Sequence, residues 1–132
     1  MKFILSAELS NLSEKINRQR GLQLFKALKY HGFDFRAAEG CYKGSKEFSF
    51  MVWVDTPEQA SIIKRLAFNV YKQEAILVIS DKNECSLLFN DRKTLDYIGM
   101  WTEVSEEEAR ACEAFTALFR PNSMKQDYYI AK

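Results

Sequence analysis

Residues 48–59 read Phe48-Ser49-Phe50-Met51-Val52-Trp53-Val54-Asp55-Thr56-Pro57-Glu58-Gln59. Phe48, Phe50, Val52 and Val54 alternate with Ser49, Met51 and Trp53, the period of two that sends successive side chains to opposite faces of a strand. A capping box follows at once: Thr56 opens it, proline takes the first helical position and Gln59 stands three residues on. Ala60, Ile63, Leu66, Ala67 and Val70 continue at helical spacing, so a strand passes directly into an amphipathic helix.

Upstream, Phe33, Phe35 and Ala37 alternate with Asp34 and Arg36, which predicts a second strand. Gly40, Gly44 and Ser45 mark its connection to the first, giving an antiparallel hairpin with a loop near 41–46. Further out, Lys2–Ala7 reads as a short strand and Ser13 as the N-cap of a helix over 14–30. Ile16, Leu24, Phe25 and Leu28 share one side of that helix, and Gly32 suits a left-handed C-cap. Downstream, Ala75–Ile79 reads as a buried strand. The order β-α-β-β-α-β predicts an α+β fold: a ferredoxin-like antiparallel sheet with both helices on one face.

Beyond Ile79 the pattern predicts a turn at 81–84, a returning strand over Cys85–Phe89 and a further strand over Ile98–Val104. Ser105-Glu106-Glu107-Glu108 then starts a third helix, its acidic first turn facing the positive helix end. Ala109, Cys112, Phe115, Leu118 and Phe119 form the inward side of that helix, and Pro121 follows its close.

The 132 residues, 47% hydrophobic and 28% charged, suit a single domain over 1–132 with one core. Cys41, Cys85 and Cys112 are odd in number and widely spaced, so the expectation is reduced thiols in a cytoplasmic protein, with no disulfide framework and no metal site. The longest apolar run is Ala75–Ile79, far short of a membrane span, and no membrane partner is expected. Net charge is +1, which argues against nucleic acid. The charge is uneven, however. Met1–Lys46 holds nine basic and four acidic residues, an asymmetry that an anionic small ligand or a neighbouring subunit could use.

Familiar catalytic machinery is missing. The single histidine, His31, closes a helix; Glu106–Glu108 read as a solvated helix start; Trp53 and Trp101 read as packing residues, with cation binding by a ring at a subunit boundary as the other possibility. A ferredoxin-like RNA-binding surface is disfavoured because Phe48 and Phe50 should face the helices. What remains is Gly40-Cys41-Tyr42-Lys43-Gly44-Ser45-Lys46-Glu47, where a phenol and a carboxylate stand at opposite ends of a glycine-containing loop and can converge on one ligand.

In order along the chain come Ser6-Ala7, Ser10-Asn11-Leu12, Arg18 and Arg20, Gly40-Cys41-Tyr42, Glu47, Gln59-Ala60, Arg65-Leu66-Ala67, Asn69 and Leu77-Val78. Over about the first 80 residues this series resembles the phage-encoded S-adenosylmethionine lyases, formerly called hydrolases. The resemblance implies a PII-like homotrimer with ligand between subunits, in the host cytoplasm if the chain is phage-encoded. It implies a functional tyrosine and glutamate, which carry over to Tyr42 and Glu47 as catalytic and substrate-binding residues. Ser6, Arg18 and Arg20 are further candidates for substrate contacts, with surface or inter-subunit pairing as the competing reading of the arginines. No cofactor is implied, S-adenosylmethionine being the substrate. The alternative is a non-catalytic PII-like module that binds a nucleotide or S-adenosylmethionine and signals by loop movement.

Overall fold

The computed structural model describes residues 1–132. Three strands meet around the hairpin. β1 (Lys2–Ser6) and β2 (Phe35–Tyr42) lie on either side of β3 (Ser45–Trp53), both antiparallel to it. β4 (Ala75–Ile79) pairs with the free side of β1. α1 (Glu14–Tyr30) joins β1 to β2, and α2 (Pro57–Lys64), prolonged by a π-helical turn over Arg65–Val70, joins β3 to β4.

The expected open α+β ferredoxin-like sheet is not what forms. β4 pairs onward with β5 (Glu84–Phe89), β5 with β6 (Leu95–Val104), β6 with β8 (Gln126–Ala131), β8 with β7 (Ala114–Phe119), and β7 with β2. The result is a closed, fully antiparallel eight-stranded barrel in the order β1-β3-β2-β7-β8-β6-β5-β4. The PII-like architecture that the family resemblance implied is overturned with it. The physical reason lies on the second face of the first four strands: Ile4, Ala38, Met51 and Ile79 are buried there, and the chain covers them with its own Cys85 and Leu118. Closure also pairs every strand edge, so unpaired edges offer no reason for association.

Two layers follow. Outside the barrel, Phe3, Leu5, Phe50 and Val52 pack beneath Leu24 and Leu28 of α1 and beneath Ile63 and Phe68 of the second helix. Inside, the alternate residues of the same strands line a lumen. The local signals operate as read: the Ser13 hydroxyl accepts from the Ile16 N–H, Thr56 and Gln59 complete a capping box, and Gly32 has φ +75° after the His31 C-cap. No helix is long and apolar enough to cross a membrane.

Two further expectations are corrected. The hairpin has no six-residue loop, because pairing runs to Tyr42↔Ser45 around a two-residue Lys43-Gly44 turn, both residues at positive φ (50° and 81°). The third helix, α3, spans only Glu106–Arg110; Phe115, Leu118 and Phe119 belong to β7, and β8 was not anticipated at all. Within β7 the relevant period is two. Thr116 and Leu118 pair across to Gly40 and Ala38, while Ala117 packs outward against Ala109 and Tyr128.

Candidate active site

One rung of the barrel sets the site. Glu47 on β3 stands opposite Gly40 on β2, Gly40 opposite Thr116 on β7, Thr116 opposite Tyr129 on β8, and Tyr129 opposite Glu103 on β6. The first four line a cavity of about 870 Å³ at the end of the barrel where the β2–β3 hairpin lies. That falls within the usual size range for a small-molecule pocket, ~300–1,000 Å³. Gly40 helps create the space: a methyl group there would meet only ordinary contacts, 3.8 Å from the Glu47 carbonyl oxygen, and a larger side chain would project into the lumen.

Tyr42 sits at the rim, 58% exposed, with the Lys43 ammonium 5.3 Å from its ring centre. Glu47 lines the same opening. Its side chain is exposed to solvent at the mouth, with enough protein around it to cost the carboxylate part of its hydration. Loss of hydration raises its pKa above the usual carboxylate value; the Ser6 hydroxyl opposes this, and the Glu8 charge adds to the rise. A cation entering the mouth would relieve both penalties at once. Ser6 is buried, its Oγ donating to the Phe48 carbonyl at 2.8 Å and accepting from the Glu8 N–H at 3.0 Å, so it braces the chain beside Glu47.

The two arginines are placed elsewhere. Arg18 is exposed, paired with Glu14 at 3.4 Å, and lines a separate groove of about 750 Å³ between α1 and the outer face of β3. Arg20 donates from Nε to the Ala7 carbonyl at 2.6 Å and from Nη2 to the Tyr71 carbonyl at 2.7 Å, with its guanidinium 5.3 Å from the Tyr71 ring centre. It ties α1 to the end of β1 and to the end of the π-helical turn.

Trp101 apart, the other cavity residues carried no sequence signal. Glu8 borders both the cavity and the outer groove, and its own pKa is raised, first by burial, against a backbone hydrogen bond at Phe48 and with help from Glu14. Asn17 holds the loop that carries Glu8: its amide accepts from the Leu9 N–H and donates to the Leu9 carbonyl, both at 2.9 Å. Thr116, Trp101 and Tyr129 complete the far wall. A polar residue in a nonperiodic loop, or an aromatic on a strand absent from the local pattern, offers nothing to read before the barrel closes. No group of three or more His, Cys, Asp and Glu side chains is arranged to hold a metal ion.

No curated protein matches the chain. The S-adenosylmethionine lyase family model, however, matches residues 3–132, which includes β5–β8 as well as the region of the sequence resemblance. An acidic, solvent-open cavity of small-molecule size is compatible with a cationic sulfonium substrate, and on the strength of the near full-length match the chain belongs to the S-adenosylmethionine lyase family.

Proposed function

We propose that the protein degrades S-adenosylmethionine to 5′-methylthioadenosine and L-homoserine lactone, and that in a phage this depletes the methyl donor of host restriction systems. The observation that carries the reading is the placement of Glu47 and Tyr42 at the mouth of one cavity, within a chain of the lyase family. The substrate brings its own leaving group. Its α-carboxylate oxygen bonds to the γ-carbon, the carbon–sulfur bond breaks, and the electron pair returns to sulfur as a neutral thioether, so no general acid is required. Holding the folded conformer supplies an intramolecular advantage of up to ~7–11 kcal/mol in well-oriented systems.

In this mechanism Glu47 meets the substrate's ammonium or sulfonium and Tyr42 fixes the methionyl end through its hydroxyl. Ser6 acts from behind, by holding the strand beside Glu47. Carboxylate and sulfonium neutralise one another as the ring closes, which a partly dehydrated pocket favours. A homotrimer with shared sites, implied by the family resemblance, is carried into the proposal. Sedimentation of a monomer that still consumes substrate would remove it.

The primary test is incubation of purified protein with S-adenosylmethionine and detection of methylthioadenosine. Run in heavy-oxygen water, lactone formation followed by opening at the carbonyl places label in the homoserine carboxyl group. Label in the side-chain hydroxyl would mean direct attack by water and would restore a hydrolase. Binding without any methylthioadenosine would favour a ligand-sensing role.

A further inference from the structure

The lumen has two chemically different sides. β6 stands four places from β3 around the eight-stranded barrel, so Trp101 and Glu47 occupy opposite walls of the same cavity. Every charged side chain lining it, Glu8, Lys46 and Glu47, comes from β3 or from the loop after β1. β5 and β6 contribute Leu87, Ile98 and Cys85, whose thiol burial pushes up to about 11 and so keeps neutral.

On that side Trp101 and Tyr129 lie face to face, ring centres 4.9 Å apart and planes within 4°. Both line the cavity and are only half-buried. The Tyr129 hydroxyl is 3.5 Å from the Glu103 carboxylate, a long contact at the solvent edge of the ring. The two rings already pack on each other, so a third planar ring can extend the stack at little further ordering cost to the protein. Thr116, buried on the rung between Gly40 and Tyr129, places a polar side chain next to the aromatic pair.

S-adenosylmethionine divides in the same way, with a planar, uncharged purine at one end and ammonium, carboxylate and sulfonium at the other. We infer that the Trp101–Tyr129 pair is the adenine subsite, with the base stacking on it while the methionyl end reaches across the lumen to Glu47; this rests on the reading of the cavity as the S-adenosylmethionine site. The orientation is specific. It puts the reacting γ-carbon on the Glu47 side and leaves the aromatic wall to recognition alone.

The test uses the full chain carrying Trp53→Phe, which leaves Trp101 as its only tryptophan. 5′-Methylthioadenosine, which has the base without the methionyl charges, should quench Trp101 emission saturably, and S-methylmethionine, which has the sulfonium without the base, should not. Trp101→Leu should raise KM for S-adenosylmethionine roughly 10- to 100-fold, the range expected for a lost base–aromatic stack, with kcat largely kept. Tyr129→Phe, which preserves a stacking ring, should retain methylthioadenosine binding and so separates stacking from simple loss of fold. Quenching by S-methylmethionine instead, or turnover whose KM ignores Trp101→Leu, would overturn the subsite. Saturable, Trp101-dependent binding of methylthioadenosine in a protein that never consumes S-adenosylmethionine would uphold the subsite and sink the lyase reading.

Discussion

The two halves of the barrel wall are built on different terms. β1–β4 are sandwiched, with the lumen on one side and α1 and α2 on the other; the outer cluster of 16 buried residues comes, Leu88 apart, from this half. β5–β8 have little behind them. The five-residue α3 covers a cluster of four over β7 and β8, and the outer face of β6 leaves Leu95, Tyr97 and Met100 exposed. The first half therefore has a core of its own kind, while the second holds its place through strand pairing and the lumen. The site draws on both: its charge stands on the helix-backed half and its aromatic wall on the bare one.

Truncation on the backed side should cost most. Leu28 is fully buried between α1 and the sheet, so Leu28→Ala should lose about 2–5 kcal/mol in denaturant unfolding. A loss below 1 kcal/mol would mean that the helices do not insulate this half. Glu47→Gln comes next. It should lower kcat/KM by about 100-fold or more, as expected when one member of a partly buried charge pair is removed. Its effect on folding should run the other way. A carboxyl whose folded pKa is raised stabilises the fold fully only below its unfolded pKa and loses that contribution as pH rises through the folded value, so at neutral pH the ionised side chain is a mild burden. Tm should stay level or rise slightly. Activity within about threefold of the parent would take Glu47 out of the mechanism.

The bare half has its own weak point. Gly99, at the β5–β6 bulge, has φ +137°, and a Cβ there would lie 2.8 Å from the Lys132 backbone nitrogen. Gly99→Ala should cost roughly 1–3 kcal/mol, with the loss concentrated in hydrogen-exchange protection of β6 and the C-terminal strand. A smaller effect is expected from Glu8→Gln. Removing that negative neighbour lowers the Glu47 pKa, so the acid limb of the kcat/KM profile should move to lower pH; no movement would uncouple the two carboxyls. The smallest is Leu95→Ser on the exposed face of β6, expected within about 0.5 kcal/mol of the parent. A large loss there would show that something covers this face in solution.

The same division separates what could be read in advance from what could not. Caps and turns act within a few residues, so Ser13, the Thr56–Gln59 box and the Gly32 C-cap are visible in the chain itself. So is the alternation of β3, because both of its faces are packed and each needs its own apolar set. Tyr42 and Glu47 stand out as a pair through the glycine-containing stretch between them and the family resemblance, whereas the two-residue turn that holds them on one cavity is visible only in the structure. Arg18 and Arg20 share a helix with residues facing the sheet, yet a single helical turn does not say which side meets the lumen, and the fold points both away from it.

By itself the sequence determined the caps, the hairpin, the two long helical segments and the family. Closure was decided only in three dimensions. Ala109, Cys112 and Phe115 repeat at helical spacing, and α-helical propensity alone would carry them onward. What ends the helix at Arg110 is the pairing of Ala114–Phe119 with β2, more than 70 residues earlier in the chain, and with β8 on its other side. Those hydrogen bonds and the burial of Thr116 and Leu118 exist only once the strands meet, so no local pattern encodes them. The lumen, and with it the wall that faces Glu47, is a product of that meeting.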